Sequence, residues 1–228
     1  MSLFLKVTFP IIFQLLSRIS RVKQSLAICC SLILISAPAT GTSGLFGYQE
    51  NLRTNLELFP QWLSVLERNI TQNAPEGNCE SNRLDQCHVK AWQSFLKRIQ
   101  TLPKMEQLNA VNQFANEHEY ILDIENYGMD DYWATPKEFL YNNGDCEDYA
   151  IIKMLSLKKL GFDMEKIRLV VLQDTNLRTP HAVLAVESPN DTLIMDNQVD
   201  EVVSHKYILH YVPVYAVNEM KWWMFLPQ

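Results

Sequence analysis

The sequence predicts an α+β protein built on an antiparallel sheet, and two observations carry that prediction. From about residue 45 to residue 160, apolar residues recur at three- and four-residue steps. Beyond residue 167 the period falls to two and the segments shorten. Helices first and strands afterwards is the order of an α+β chain rather than of alternating βα units. The 228 residues suffice for one domain with a real core, and a hydrophobic content of 47% is that of a globular protein.

Residues 1–39 stand apart. They carry Lys6, Arg18, Arg21 and Lys23 and no acid, then the apolar run from Ser25 to Ala37, then Ala37-Pro38-Ala39. A basic region, a short apolar stretch and a small-residue exit describe a secretory signal peptide. The apolar run is short beside the ~20 residues a membrane span needs, and an uncleaved N-terminal anchor is the alternative. Cys29 and Cys30 lie in this run and would be lost on cleavage. Removing four basic residues takes the net charge from −6 to −10. An acidic domain without basic clusters argues against a nucleic-acid partner.

The domain expected over 45–228 begins with a helical pattern over 45–70, in which Leu52, Leu56, Phe59, Leu63, Leu66 and Ile70 share a face and Pro60 marks a kink or break. A polar loop over 71–86 holds Cys79; with Cys87 it forms a pair that an oxidising compartment would bridge, two free thiols being the alternative. One neighbouring histidine, His88, is too little for a zinc site. Helices follow over 88–102 and 104–119. Trp62, Trp92, Trp222 and Trp223 read as packing residues.

The loop over 125–136 is dense in acids and aromatics. Thr135 and Glu138 then form a capping box around Pro136, opening a short helix that stops at Asn142-Asn143-Gly144. Asp145 caps the next helix, 146–160, in which Cys146, Ala150, Met154 and Leu157 fall on one side. Strands are expected over 167–173, 182–187, 192–195, 208–216 and 222–226.

The run Gly144-Asp145-Cys146-Glu147-Asp148-Tyr149-Ala150 thus places a cysteine at a helix start, where the dipole and free N–H groups favour a thiolate. His181 opens a buried strand, and Asp196 closes the next. Antiparallel pairing of those strands brings the carboxylate to the imidazole. Cysteine, histidine and carboxylate are the parts of a nucleophilic acyl-transfer site. A lone His181 would read as a packed core histidine; the cysteine context argues otherwise. Asp145, Glu147 and Asp148 oppose a thiolate. Capping and dipole complementarity account for acids in a first turn. A bound calcium ion would instead reverse their penalty, with Asp130 and Asp131 as further ligands. The Cys146 N–H is one oxyanion donor candidate, and the loop around Tyr132 and Trp133 offers a second; Trp133 reads equally well as core.

Together, the heptapeptide, the Asp131-Tyr132-Trp133-Ala134-Thr135-Pro136-Lys137-Glu138 segment, Pro180-His181-Ala182-Val183-Leu184 and Met195-Asp196-Asn197 make the chain, over about 45–226, resemble the bacterial transglutaminase-like cysteine proteinases. The resemblance implies a papain-like core, with Cys146 as nucleophile, His181 as general base and acid, and Asp196 as orienting carboxylate. It implies calcium held by Asp145 and Glu147. It further implies a periplasmic, biofilm-dispersing protease. The expected substrate is a large surface adhesin, cut near its N-terminal end after a pair of small residues. An inner-membrane receptor for cyclic di-GMP would hold the protease in check. A transglutaminase-type acyltransferase and a catalytically silent binding module of the same fold remain open at this point.

Overall fold

The computed structural model describes residues 44–72 and 87–228, which belong to one unit, Gly41–Gln228. The expected signal segment, 1–39, lies outside the described residues, as does Cys79. Cys87 is disulfide-bonded. No helix among the described residues is long and apolar enough to cross a membrane.

Six helices precede most of the sheet: α1 (Pro60–Thr71), α2 (His88–Ile99), α3 (Lys104–Asn116), the single turn α4 (Asp123–Asn126), α5 (Pro136–Asn142) and α6 (Cys146–Lys159). The strands are β1 (Gln49–Arg53), β2 (Ile167–Asp174), β3 (Thr179–Ser188), β4 (Asp191–Met195), β5 (Val203–Ser204), β6 (Tyr211–Val217) and β7 (Trp222–Leu226). They form a seven-stranded sheet in the order β1-β7-β6-β2-β3-β4-β5, with every neighbouring pair antiparallel. The α+β expectation therefore holds, and the five expected strands are all present.

Two expectations fail. The 45–70 pattern is not one helix: residues 45–59 hold two 3-10 turns around β1, and α1 begins only at Pro60. Proline lacks an N–H and has a preset φ, so it suits the first helical position, where that N–H would have no partner. Leu52 and Leu56 satisfy a helical spacing by coincidence; β1 instead gains its hydrogen bonds from β7, with Leu52 opposite Trp223. The second failure concerns α6, which was expected to bury one stripe. Every residue from Glu147 to Leu157 is buried. A helix enclosed on all sides is a central helix.

That enclosure organises the molecule. α6 lies against β2 and β3 on one side and against α3 and α5 on the other. Along β2 the side chains alternate: Ile167 and Leu169 enter the core shared with the helices, while Val170 and Leu172 enter a second core on the opposite face of the sheet. The second core is covered by the segment Leu45–Tyr48. Buried indoles tie the layers with single hydrogen bonds, Trp62 Nε1 donating to the Asn218 carbonyl at 2.9 Å and Trp92 Nε1 to Ser156 Oγ at 2.9 Å. Of the tryptophans expected to pack, Trp62, Trp92 and Trp223 are buried and Trp222 is partly so.

Phe139 is fully buried and meets Tyr149 of α6 edge to face, with ring centroids 4.9 Å apart. Its replacement by alanine leaves a ring-sized void beneath the helix that carries Cys146. We expect Phe139→Ala to lose about 3–5 kcal/mol of stability in urea unfolding; a loss below about 1 kcal/mol would mean that the site rests on something other than this packing.

Candidate active site

Local chemistry sets where Cys146 sits. Thr135 and Glu138 form the expected capping box at the start of α5. The helix ends at Asn143, whose φ of 62° and ψ of −159° lie in a region that residues other than glycine rarely enter. Gly144 follows, its carbonyl accepting the Ile121 N–H at 2.9 Å. A Cβ at Gly144 would lie 2.1 Å from Asp148 Oδ2, so only glycine lets Asp148 fold back over the turn. Asp148 Oδ2 accepts the Asp145 N–H at 3.3 Å, and its Oδ1 accepts the Ala134 N–H at 2.6 Å. One carboxylate thereby fastens the start of α6 to the loop before α5.

The β3–β4 hairpin sets Asp196 across from Val183 and so makes it the diagonal neighbour of His181 on the same face. Leu184 faces Met195 across the pair, and the chain continues to place Asp196 beside His181. Nε2 of His181 lies 2.9 Å from Asp196 Oδ1, both side chains being almost fully buried. Asp196 Oδ1 also accepts the Gln198 N–H at 3.0 Å, and Oδ2 accepts the Tyr211 hydroxyl at 2.6 Å. With Nε2 turned to the carboxylate, Nδ1 is left for a substrate or a thiol. Across from β3, the Cys146 thiol receives a hydrogen bond from the backbone N–H of Ala182, the residue next to His181. The Tyr120 hydroxyl also hydrogen-bonds that sulfur.

Electrostatics around the thiol are adverse. Burial, then Glu147 and Asp145, push the Cys146 thiol well above its ordinary range; its S–H donates to Glu147 Oε2 at 3.3 Å. Burial and Asp145 push Glu147 up, burial pushes Asp145 up, and burial pushes Asp148 well up. Asp123, buried with Asp145 nearby, is pushed up to about 6. These carboxylates share one place. Single oxygens of Asp123, Asp131 and Glu147 lie within 4.8 Å of one another, as do those of Asp123, Asp145 and Asp148. Asp123 Oδ1 and Asp145 Oδ1 are buried without a hydrogen-bond partner. Unpaired carboxylate oxygens in this arrangement fit a hard, oxygen-seeking divalent cation.

The expected site residues are therefore distributed as follows. Cys146 stands at the N-terminus of α6, His181 and Asp196 are paired, and Asp145 and Glu147 belong to the acidic cluster, which Asp131 joins. Asp130 does not belong to the clusters found. Trp133 is buried against Trp62, and its indole N–H donates to Asp131 Oδ1 at 2.9 Å; the ring is spent on packing and cannot supply that donor to an oxyanion. Sequence reasoning missed Asp123, Tyr120 and Tyr211. Asp123 lies 22 residues before Asp145, in what reads as an ordinary polar turn; only the fold brings it to the cysteine. Its signal was its place just before the acid-rich aromatic loop.

A cysteine at a helix N-terminus, bonded by the backbone N–H next to a buried histidine–carboxylate pair on an antiparallel sheet, matches the fold of a transglutaminase-like cysteine proteinase. The comparisons agree. The chain belongs to the bacterial transglutaminase-like cysteine proteinases, whose family model matches residues 73–228. LapG of Legionella pneumophila is similar in structure, with 28% identity and a TM-score of 0.56 over 70% of this chain and 87% of that one. Its calcium-bound form aligns with 26% identity and a TM-score of 0.58, covering 71% and 86%. Its EGTA-treated form gives 28% and 0.56, covering 70% and 84%. No curated protein matches the chain in sequence.

The acidic cluster carries a signed pH dependence. The folded state holds on Glu147 a proton that the unfolded chain releases above about pH 4.3, so in the absence of metal its cost to stability grows as pH rises from there. Glutamine has no such cost. Glu147→Gln should stabilise the metal-free protein at pH 7, and the gain should shrink toward pH 5 in urea titrations run in chelator. A gain equal at the two pH values would remove Glu147 from the set of strained carboxylates.

Proposed function

We propose that the chain is a calcium-dependent, periplasmic cysteine endopeptidase that cleaves the N-terminal region of a large surface adhesin. Release of the adhesin would promote biofilm dispersal, under an inner-membrane receptor that senses cyclic di-GMP. The observation that carries the catalytic part is the His181–Asp196 pair at 2.9 Å, with the neighbouring Ala182 N–H on the Cys146 sulfur. Family membership supports the cysteine-protease chemistry; the substrate and its control are what the resemblance of the sequence motifs implies.

In this reading His181 Nδ1 takes the Cys146 proton and the thiolate attacks the scissile carbonyl. The Cys146 N–H, at the first turn of α6, donates to the oxyanion of the tetrahedral intermediate. The imidazolium, oriented by Asp196, protonates the leaving amine and a thioester remains. His181 then draws a proton from water, which hydrolyses the thioester and restores the thiol. Asp145, Glu147 and Asp123, with Asp131 at the rim, would hold calcium. When bound it neutralises the charge that opposes the thiolate. The calcium-bound and EGTA-treated forms of LapG support this choice of ion.

The test incubates the purified protein with an adhesin N-terminal fragment containing a pair of small residues. Cleavage in calcium, its loss in excess chelator, its return on readdition and its absence in Cys146→Ala are expected. Cleavage by Cys146→Ala would overturn the nucleophile. Unchanged cleavage in chelator would return Asp145 and Glu147 to capping.

A further inference from the structure

Tyr211 touches both members of the histidine–carboxylate pair, yet it plays no part in the steps above. It opens β6, opposite Asp174 of β2, and is buried. Its hydroxyl donates to Asp196 Oδ2 at 2.6 Å, leaving Oδ1 to His181 and the Gln198 N–H. Its ring meets the His181 imidazole at a centroid distance of 5.7 Å and an interplanar angle of 61°. Burial and the Asp196 charge push the phenol upward, so it remains a donor throughout the working pH range. A buried carboxylate can rotate about its Cβ–Cγ bond. A donor on the second oxygen removes that freedom and fixes the first oxygen on the imidazole.

The tyrosine is itself held within the second core, the one covered by the segment Leu45–Tyr48. Phe46, in the segment Leu45–Tyr48, meets the Tyr211 ring edge on at 5.7 Å and 83°. Phe46 has a left-handed backbone, φ 52°, uncommon for a bulky residue and costly unless its surroundings impose it. Here they do: the Phe46 N–H donates to His205 Nδ1 at 3.0 Å, and the Leu45 N–H donates to Glu50 Oε1 at 2.8 Å. Glu50 is in turn clamped by both terminal nitrogens of buried Arg168, at 2.6 and 2.8 Å. The segment is pinned at two backbone amides, with its aromatic side chain pressed on the back of the tyrosine.

We propose that Tyr211 is a positioning residue for the Asp196–His181 pair, and that Phe46 holds the tyrosine ring in register from the N-terminal segment. The inference rests on the catalytic roles proposed above. It links the start of the folded domain to the far end of the catalytic pair through two ring contacts and one hydrogen bond. The sign of the electrostatic effect follows from the donor. A hydroxyl bonded to Asp196 favours the ionised carboxylate, so its removal lets Asp196 protonate at higher pH. Asp196 is also influenced by His181 on β3, Lys153 on α6 and the Gln198 N–H, none of which the substitution alters; Tyr211 further senses Asp174 and Cys146.

The experiment compares steady-state cleavage of a peptide substrate in calcium by the parent, Tyr211→Phe, Phe46→Ala and Asp196→Asn, from pH 4.5 to 9, with thermal unfolding of each. Tyr211→Phe should lower kcat about tenfold with KM within about twofold, as loss of one hydrogen bond to a charged group would. The acid limb of its kcat/KM profile should move to higher pH. Phe46→Ala should move the limb the same way by less. A parental kcat and profile in Tyr211→Phe, beside an inactive Asp196→Asn, overturns this inference and leaves the triad standing. A fall in activity that only tracks a lower Tm, with the acid limb unmoved, also overturns it. Full activity in Asp196→Asn instead removes the triad reading beneath it.

Discussion

A thiol set among buried carboxylates is the constraint on which the site depends. The N-terminus of α6 is a favourable place for an anion, and three successive residues there, Asp145, Cys146 and Glu147, compete for it. Asp148 accepts two backbone N–H groups, yet burial still pushes it well up. Burial pushes Asp145, Glu147 and Asp123 toward protonation as well, although Asp123 accepts the Tyr132 N–H and Asp145 the Asp123 N–H. In a low-dielectric pocket their ionisation and that of the cysteine oppose one another. A cation among those oxygens would offset the charge that opposes the thiolate.

The fold keeps this arrangement rigid by enclosing α6. Its position is determined by packing against α3 and α5 on one side and against β2 and β3 on the other, so the cysteine is presented to β3 with little freedom. The β3–β4 hairpin performs the complementary task. Its register, not any flexible loop, carries Asp196 to His181. Tyr211 and Phe46, both in the second core, extend that order from the histidine–carboxylate pair to the segment Leu45–Tyr48.

Much of this was legible in the sequence where the signal was local. The Thr135–Glu138 box, the Asn142-Asn143-Gly144 stop and the start of α6 at Cys146 follow from short-range capping chemistry. The pairing of His181 with Asp196 follows from two period-two strands joined by a tight polar turn. Signals that depend on long-range contacts were hidden. β1 reads as helix because its leucines match a helical step, and only pairing with distant β7 makes it a strand. α6 reads as amphipathic because Glu147, Asp148, Lys153 and Ser156 are polar, yet the surrounding layers bury them all. Asp123 reads as a turn residue because its cluster partners are brought to it by the fold. Trp133 reads equally as core or as oxyanion donor, and the Asp131 acceptor on its indole N–H favours packing.

Neutralising the acidic cluster should be what makes the Cys146 thiolate accessible. The direct measurement is the pH dependence of Cys146 alkylation by iodoacetamide, in saturating calcium and in excess chelator. The account predicts that the midpoint of the alkylation profile moves to lower pH in calcium by a unit or more, equivalent to about 1.4 kcal/mol per unit. Superimposable profiles in the two conditions would contradict it, because the carboxylates would then have no hold on the nucleophile.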